Sequence, residues 1–98
     1  MAGLQRATPT GVPIQILHRG NNRQACFKNN VDYSAFLWWL REYSEKFMVE
    51  IHTWVLMGNH YHLLCTPKAE NGLSLMVQAL GRQYVRYFNR QYQRSGTL

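Results

Sequence analysis

His60 and His62 bracket Tyr61 in the run Met57-Gly58-Asn59-His60-Tyr61-His62-Leu63-Leu64. On an extended chain, positions i and i+2 project from the same side. Two imidazoles therefore stand next to each other while Tyr61 turns the other way, into packing. Such a pair can chelate one divalent cation. Imidazole nitrogen binds first-row ions well, and a carboxylate or amide together with phosphate oxygens completes a magnesium- or manganese-type shell. Two histidines that only satisfy hydrogen bonds would have the same spacing, so the pattern alone is a weak signal. A four-ligand zinc site is a poorer match, because alternation turns Cys65 away from both histidines and no other Cys or His cluster completes it. His18 and His52 are read as ordinary strand histidines outside the pair.

The elements that must position this run follow from periodicity. Residues 12–18 read as a strand, with Pro13 placing its start at an edge or at the first residues of the ladder. Arg19-Gly20-Asn21-Asn22-Arg23-Gln24 then forms a basic loop, rich in turn residues, at the strand end. Asp32 is the expected N-cap of a helix whose apolar stripe is Tyr33, Phe36, Leu37, Leu40, Tyr43 and Phe47, widened by Trp38 and Trp39. Residues 49–57 alternate as a second strand, with Ile51, Thr53, Val55 and Met57 expected on one face and His52, Trp54 and Leu56 on the other. After a break at Gly58-Asn59, residues 60–66 make a third strand, antiparallel to the second because so short a connection suits a hairpin, and Pro67 ends it. A second helix is expected over residues 72–94, packing through Leu73, Val77, Leu80, Tyr84 and Tyr87 or Phe88. At ~100° per residue Arg82, Arg86 and Arg90 stand on its opposite side, with Arg94 drifting to the flank.

Strand, helix, strand, strand, helix is the opening of a split βαβ unit. The expected fold is α+β and ferredoxin-like: an antiparallel sheet with two helices on one face, its final strand missing or supplied by a partner chain. Residues 1–98 are read as one, partial, catalytic domain that ends in a turn at Ser95-Gly96-Thr97-Leu98, and an open sheet edge makes a homodimer an expected arrangement.

Composition narrows the partner. The net charge of +6 is unevenly placed. Arg6, Arg19, Arg23 and Lys28 precede the first acid, and Arg82, Arg86, Arg90 and Arg94 follow the last one. Two basic ends brought together by the fold would make one cationic face, the footprint of a phosphate-rich partner, although charge alone also serves solubility. No apolar run approaches the ~18 residues of a membrane span, and residues 1–6 lack the apolar core of a secretory signal, so no membrane partner and a cytoplasmic location are expected. Cys26 and Cys65 lie in unlike contexts and fit reduced thiols.

Three segments share a further likeness. Residues 54–64 closely resemble the metal-binding strand of the REP-associated tyrosine transposases and their insertion-sequence relatives, the His-hydrophobe-His class of single-strand endonucleases. Residues 16–24 are similar to the first strand and basic loop of that group, and residues 80–90 followed by 95–98 make a third match in the same order. The resemblance implies a DNA transposase that cleaves and rejoins single-stranded or hairpin DNA. In that chemistry His60 and His62 hold a divalent metal, magnesium or manganese, on the scissile phosphate, and a tyrosine attacks to leave a 5′-phosphotyrosine. In the family the nucleophilic tyrosine and third ligand sit on a later helix, which would lie past Leu98, so no catalytic nucleophile is assigned here. Tyr84 and Tyr87 are read as packing residues and Tyr92 as solvent-side or stacking.

Arg19, Asn21, Asn22, Arg23 and Asn59 are the expected phosphate grips beside the metal, and Arg82, Arg86 and Arg90 are expected to steer the strand. The rival readings are a single-stranded nucleic-acid-binding module without chemistry and a truncated transposase remnant. In the binding module, both histidines would be replaceable without loss of binding. No RNP1-like run is present to favour an RNA-binding domain.

Overall fold

The computed structural model describes residues 9–20, 25–96 and 98. Its elements are β1 (Ile14–Arg19), α1 (Asn30–Lys46), β2 (Val49–Met57), β3 (His60–Pro67) and α2 (Gly72–Tyr92). Pro13 immediately precedes β1, where its missing N–H costs the ladder nothing. The strands form one sheet in the order β1-β3-β2, both outer strands antiparallel to β3. β2 and β3 are the hairpin expected across Gly58-Asn59.

α1 begins earlier than the periodicity suggests, because Asn29 and Asp32 cap it jointly. The Asn29 side chain accepts the Asp32 backbone N–H and the Asp32 carboxylate accepts the Asn29 N–H, so Asn29 is the N-cap and Asp32 the third helical residue. The helix ends at Lys46 with Phe47 as its C-cap, and Met48, with a φ of 58°, reverses the chain directly into β2. Gly72 opens α2 against the Phe47 carbonyl, where a Cβ would collide with backbone. The start of one helix is thereby seated on the end of the other.

Both helices cover the same face of the sheet. Ile16 of β1 and Tyr61, Leu63 and Cys65 of β3 meet Phe36 and Leu40 of α1 and Leu73, Met76, Val77, Leu80, Tyr84 and Phe88 of α2. Each large apolar side chain buried there contributes about 1.5–3 kcal/mol relative to exposure. The fold is the α+β arrangement expected, three antiparallel strands under two helices, compatible with a ferredoxin-like unit.

One strand departs from simple alternation. Ile51 pairs with Cys65 and Thr53 with Leu64, leaving His52 as an extra residue. The bulge shifts the phase of β2. Val49 and Ile51 face the helices before it, and Trp54 and Leu56, opposite Leu63 and Tyr61, do so after it. Ile51 therefore does not share a face with Thr53, Val55 and Met57, as uninterrupted alternation would require. His52 Nε2 lies 2.7 Å from Thr66 Oγ1, which gives the extra residue a polar partner.

Candidate functional site

The sheet's second face carries no helix among the described residues, and both histidines stand on it. Tyr61, Leu63 and Cys65 point into the core, so His60 and His62, one residue out of phase with them, point to the open side. Their ring centroids are 5.3 Å apart with an interplanar angle of 75°. In register, His60 sits between Arg19 of β1 and Met57 of β2, and His62 between Leu17 and Val55. Leu17, Val55 and Met57 are each about half exposed, so the imidazoles are collared by aliphatic side chains with one guanidinium-bearing residue at the corner. Cys65 is fully buried on the other side, its thiol pushed up to about 11 by burial, and it takes no part.

The hairpin turn just before His60 is the point at which three segments converge. The Asn59 carbonyl accepts the Gly20 N–H at 2.8 Å, and the Gly58 carbonyl accepts the N–H groups of Cys26 and Phe27 at 2.7 and 3.0 Å. The two ends of the basic loop are therefore fastened to the residues that lead into the histidine strand. The Asn59 side chain turns the same way, its Oδ1 lying 2.7 Å from His60 Nδ1. Of the residues expected to grip phosphate, Arg19 and Asn59 are placed beside the histidine pair, whereas Asn21, Asn22 and Arg23 lie outside the described residues.

Arg82, Arg86 and Arg90 are exposed on α2, on the helix side of the sheet and away from the histidines. Arg82 and Arg86 line a cavity of about 750 Å³, with His18, Phe27, Tyr61, Tyr84 and Leu98 among its other walls. It joins the α2 surface to the end of β1. His18, stacked on Tyr61 at 5.2 Å, belongs to this side, and burial holds its imidazole below the ordinary value. His18 and His52 are both outside the pair, as expected.

The tyrosines are equally informative. All six, Tyr33, Tyr43, Tyr61, Tyr84, Tyr87 and Tyr92, lie on the helices or on the helix-covered face of β3. Burial raises the Tyr61 and Tyr84 phenols well above their usual range, and Tyr84 donates to the Cys26 carbonyl. Tyr87 and Tyr92 donate to Asp32 at 2.6 and 2.5 Å, and Tyr92 is pushed up to about 12 by desolvation and that hydrogen bond. From the sequence, Tyr92 is expected to be solvent-side or stacking. It is half-buried rather than solvent-side, its ring packed on Phe88 at 4.6 Å and its hydroxyl fixed to the first turn of α1. None of these hydroxyls points to the histidine face.

Two imidazoles on one face are the protein donors present. Among the described residues, no group of three His, Cys, Asp or Glu side chains is placed to hold an ion. That donor set fits an ion with positions left for phosphate and water oxygens, and does not fit a closed structural zinc site.

Among the described residues, no helix is long and apolar enough to cross a membrane. Comparison with curated proteins and with solved structures gave no match. A family model does match, over residues 10–97, and its description is Transposase IS200 like. Because the match runs from before β1 to the residues after α2, and so takes in the histidine strand and both helices, the chain belongs to the IS200-like transposase family.

Proposed function

We propose that this transposase chain handles single-stranded or hairpin DNA by holding a scissile phosphate at a divalent ion, magnesium or manganese, bound by His60 and His62. The observation that carries this reading is the convergence at the hairpin turn. The ends of a loop containing Arg23, and Arg19 itself, are fastened beside the only sheet face on which two imidazoles stand together among the described residues. A bound ion would act as a Lewis acid on a non-bridging phosphate oxygen. The protein supplies the rest. His60 and His62 fix the ion's place, Arg19 and the loop residues Asn21, Asn22 and Arg23 hold the neighbouring phosphates, and the Asn59 amide, with Oδ1 on His60, still has its Nδ2 hydrogens as donors. A strand leaving this face over the edge of β1 meets Arg82 and Arg86 at the cavity mouth and Arg90 beyond them.

None of this chain's tyrosines stands on the histidine face: Tyr61 is turned to the helix side of β3 and the other five lie on the helices. That placement favours a second reading, in which the 98 residues bind metal and DNA without cutting and the tyrosine comes from elsewhere. The two share one test. Manganese titration should broaden the resonances of His60 and His62 selectively, and the effect should weaken as the solution is acidified, since only a neutral ring has a lone pair to donate. Equal broadening of His18, His52, His60 and His62 would refute the metal site. Single-strand cleavage by the chain alone would remove the second reading, and undiminished cleavage after both histidines are changed to alanine would remove the first.

A further inference from the structure

We infer that Asn59 is a positioning residue that holds the proton of His60 on Nδ1 and so turns the lone pair of Nε2 toward the place of the ion. The inference rests on the metal-binding reading of the histidine pair and adds to it a residue that touches neither the ion nor the phosphate through its Oδ1.

The chemistry follows from which atoms can donate. Asn59 Oδ1 is an acceptor only, and it lies 2.7 Å from His60 Nδ1. A hydrogen bond at that distance requires the hydrogen on the imidazole nitrogen. A neutral imidazole carries one N–H, so Nε2 is left as the nitrogen with a lone pair. A ring without such a partner distributes its proton over both nitrogens and rotates about its side-chain bonds. Every molecule in the wrong tautomer or rotamer would have to rearrange before binding an ion.

Asn59 is suited to the task because its own backbone is held. Its carbonyl accepts from Gly20, and the adjoining Gly58 carbonyl accepts from Cys26 and Phe27, so the turn is fixed on the loop side before the side chain reaches His60. The series of hydrogen bonds runs from the end of β1, through the turn, to one specified ring nitrogen. Carbonyl or carboxylate partners on the far nitrogen of a metal-binding imidazole are the general means by which proteins set the orientation and basicity of that ligand, and their removal weakens metal affinity about 10–100-fold.

Two variants and two readouts test the inference. Asn59→Ala removes the acceptor, whereas Asn59→Asp retains an oxygen in the same place. Long-range 15N–1H correlation spectra of the metal-free protein, in mildly alkaline buffer, report which nitrogen of His60 carries the proton. The parent protein and Asn59→Asp should show Nδ1–H for His60, and Asn59→Ala should show a mixture or Nε2–H. Manganese(II) affinity, measured from the free-ion paramagnetic resonance signal, should fall about 10–100-fold in Asn59→Ala and return to the parent value or above it in Asn59→Asp. Circular dichroism of both variants checks that the fold is kept. An Nε2–H tautomer in the parent protein overturns the inference, as does an Asn59→Ala variant with unchanged tautomer and unchanged affinity. If the parent protein shows Nδ1–H and Asn59→Ala loses it, yet manganese binds neither, the tautomer assignment is upheld and the metal reading of the pair is what fails.

Discussion

The Tyr92 hydroxyl donates to the carboxylate of Asp32 over a distance of 2.5 Å, joining the last turn of α2 to the first turn of α1 across 60 residues of chain. Tyr87 donates to the other carboxylate oxygen, and the backbone N–H groups of Lys28 and Asn29 complete the shell of a fully buried acid. Burial works to raise its pKa, but these four donors outweigh it and hold the carboxyl below its ordinary 3.8.

A depressed carboxylate pKa has a definite consequence for acid stability. The stabilisation is fully present above about pH 4, where the unfolded chain's Asp32 is also ionised. It is lost as pH falls from there through the folded value, because the unfolded state takes up the proton first. Denaturant midpoints measured from neutral pH into this range should decline, and Asp32→Asn should flatten that decline while lowering the plateau. Asp32→Ala should cost on the order of 3 kcal/mol, as it removes a capping box and leaves two tyrosine hydroxyls without their acceptor.

Tyr84→Phe should reach the functional site indirectly. The lost hydroxyl leaves the Cys26 carbonyl without its donor, at a cost of about 1–2 kcal/mol. Because Cys26 and Phe27 tie the loop to Gly58, their amide hydrogens should exchange faster with solvent in the variant. Unchanged exchange at both amides would mean that α2 does not secure the loop.

Two glycines of α2 should respond oppositely to alanine. Gly81 has open space where a Cβ would stand, so Gly81→Ala should raise stability by about 0.5–1 kcal/mol through the unfolded chain's reduced freedom. Gly72→Ala would drive a methyl into the Phe47 carbonyl and should lower the thermal midpoint instead. Thermal melts of the two variants against the parent check the pair.

If the strand follows the proposed path, Arg82, Arg86 and Arg90 act through counterion release. Replacing all three with glutamine should reduce the slope of log affinity against log salt by about 0.7 for each phosphate that is no longer neutralised, as expected for a single strand. Fluorescence anisotropy with a hairpin oligonucleotide over a range of salt measures this. An unaltered slope would mean that α2 carries only solvated arginines.

Much of the scaffold was legible because burial in this chain follows simple periods. Phe36 and Leu40 of α1, and Leu73, Val77, Leu80 and Tyr84 of α2, recur at three-and-four spacing, and all are buried as that spacing requires. The common face of His60 and His62, and the exclusion of Cys65 from it, needed only two-residue alternation. What periodicity does not encode is hydrogen bonding between distant groups. Asn29 rather than Asp32 caps α1, and Tyr92 is drawn inward by Asp32, because polar atoms find partners by three-dimensional proximity. The only sequence signal was the Asn29-x-x-Asp32 spacing of a capping box. Likewise the bonds from Gly20, Cys26 and Phe27 to the Gly58-Asn59 turn come from backbone groups, which every residue carries.

His52 divides β2 into two lengths of opposite parity. Odd-numbered Val49 and Ile51 pack under the helices ahead of it, whereas behind it the even-numbered Trp54 and Leu56 take that side and the odd-numbered Thr53, Val55 and Met57 flank the histidines. A map of tolerated substitutions averaged along the strand would therefore show no alternation, and two clear alternations of opposite phase would emerge only when it is split at His52. For the same reason the effect of a change of length depends on where it falls. Deleting His52 itself would remove the bulge and leave Ile51 and Thr53 to alternate directly, with every other residue on its present face, whereas deleting a position after it, such as Val55, would carry Leu56 round beside His60 and His62.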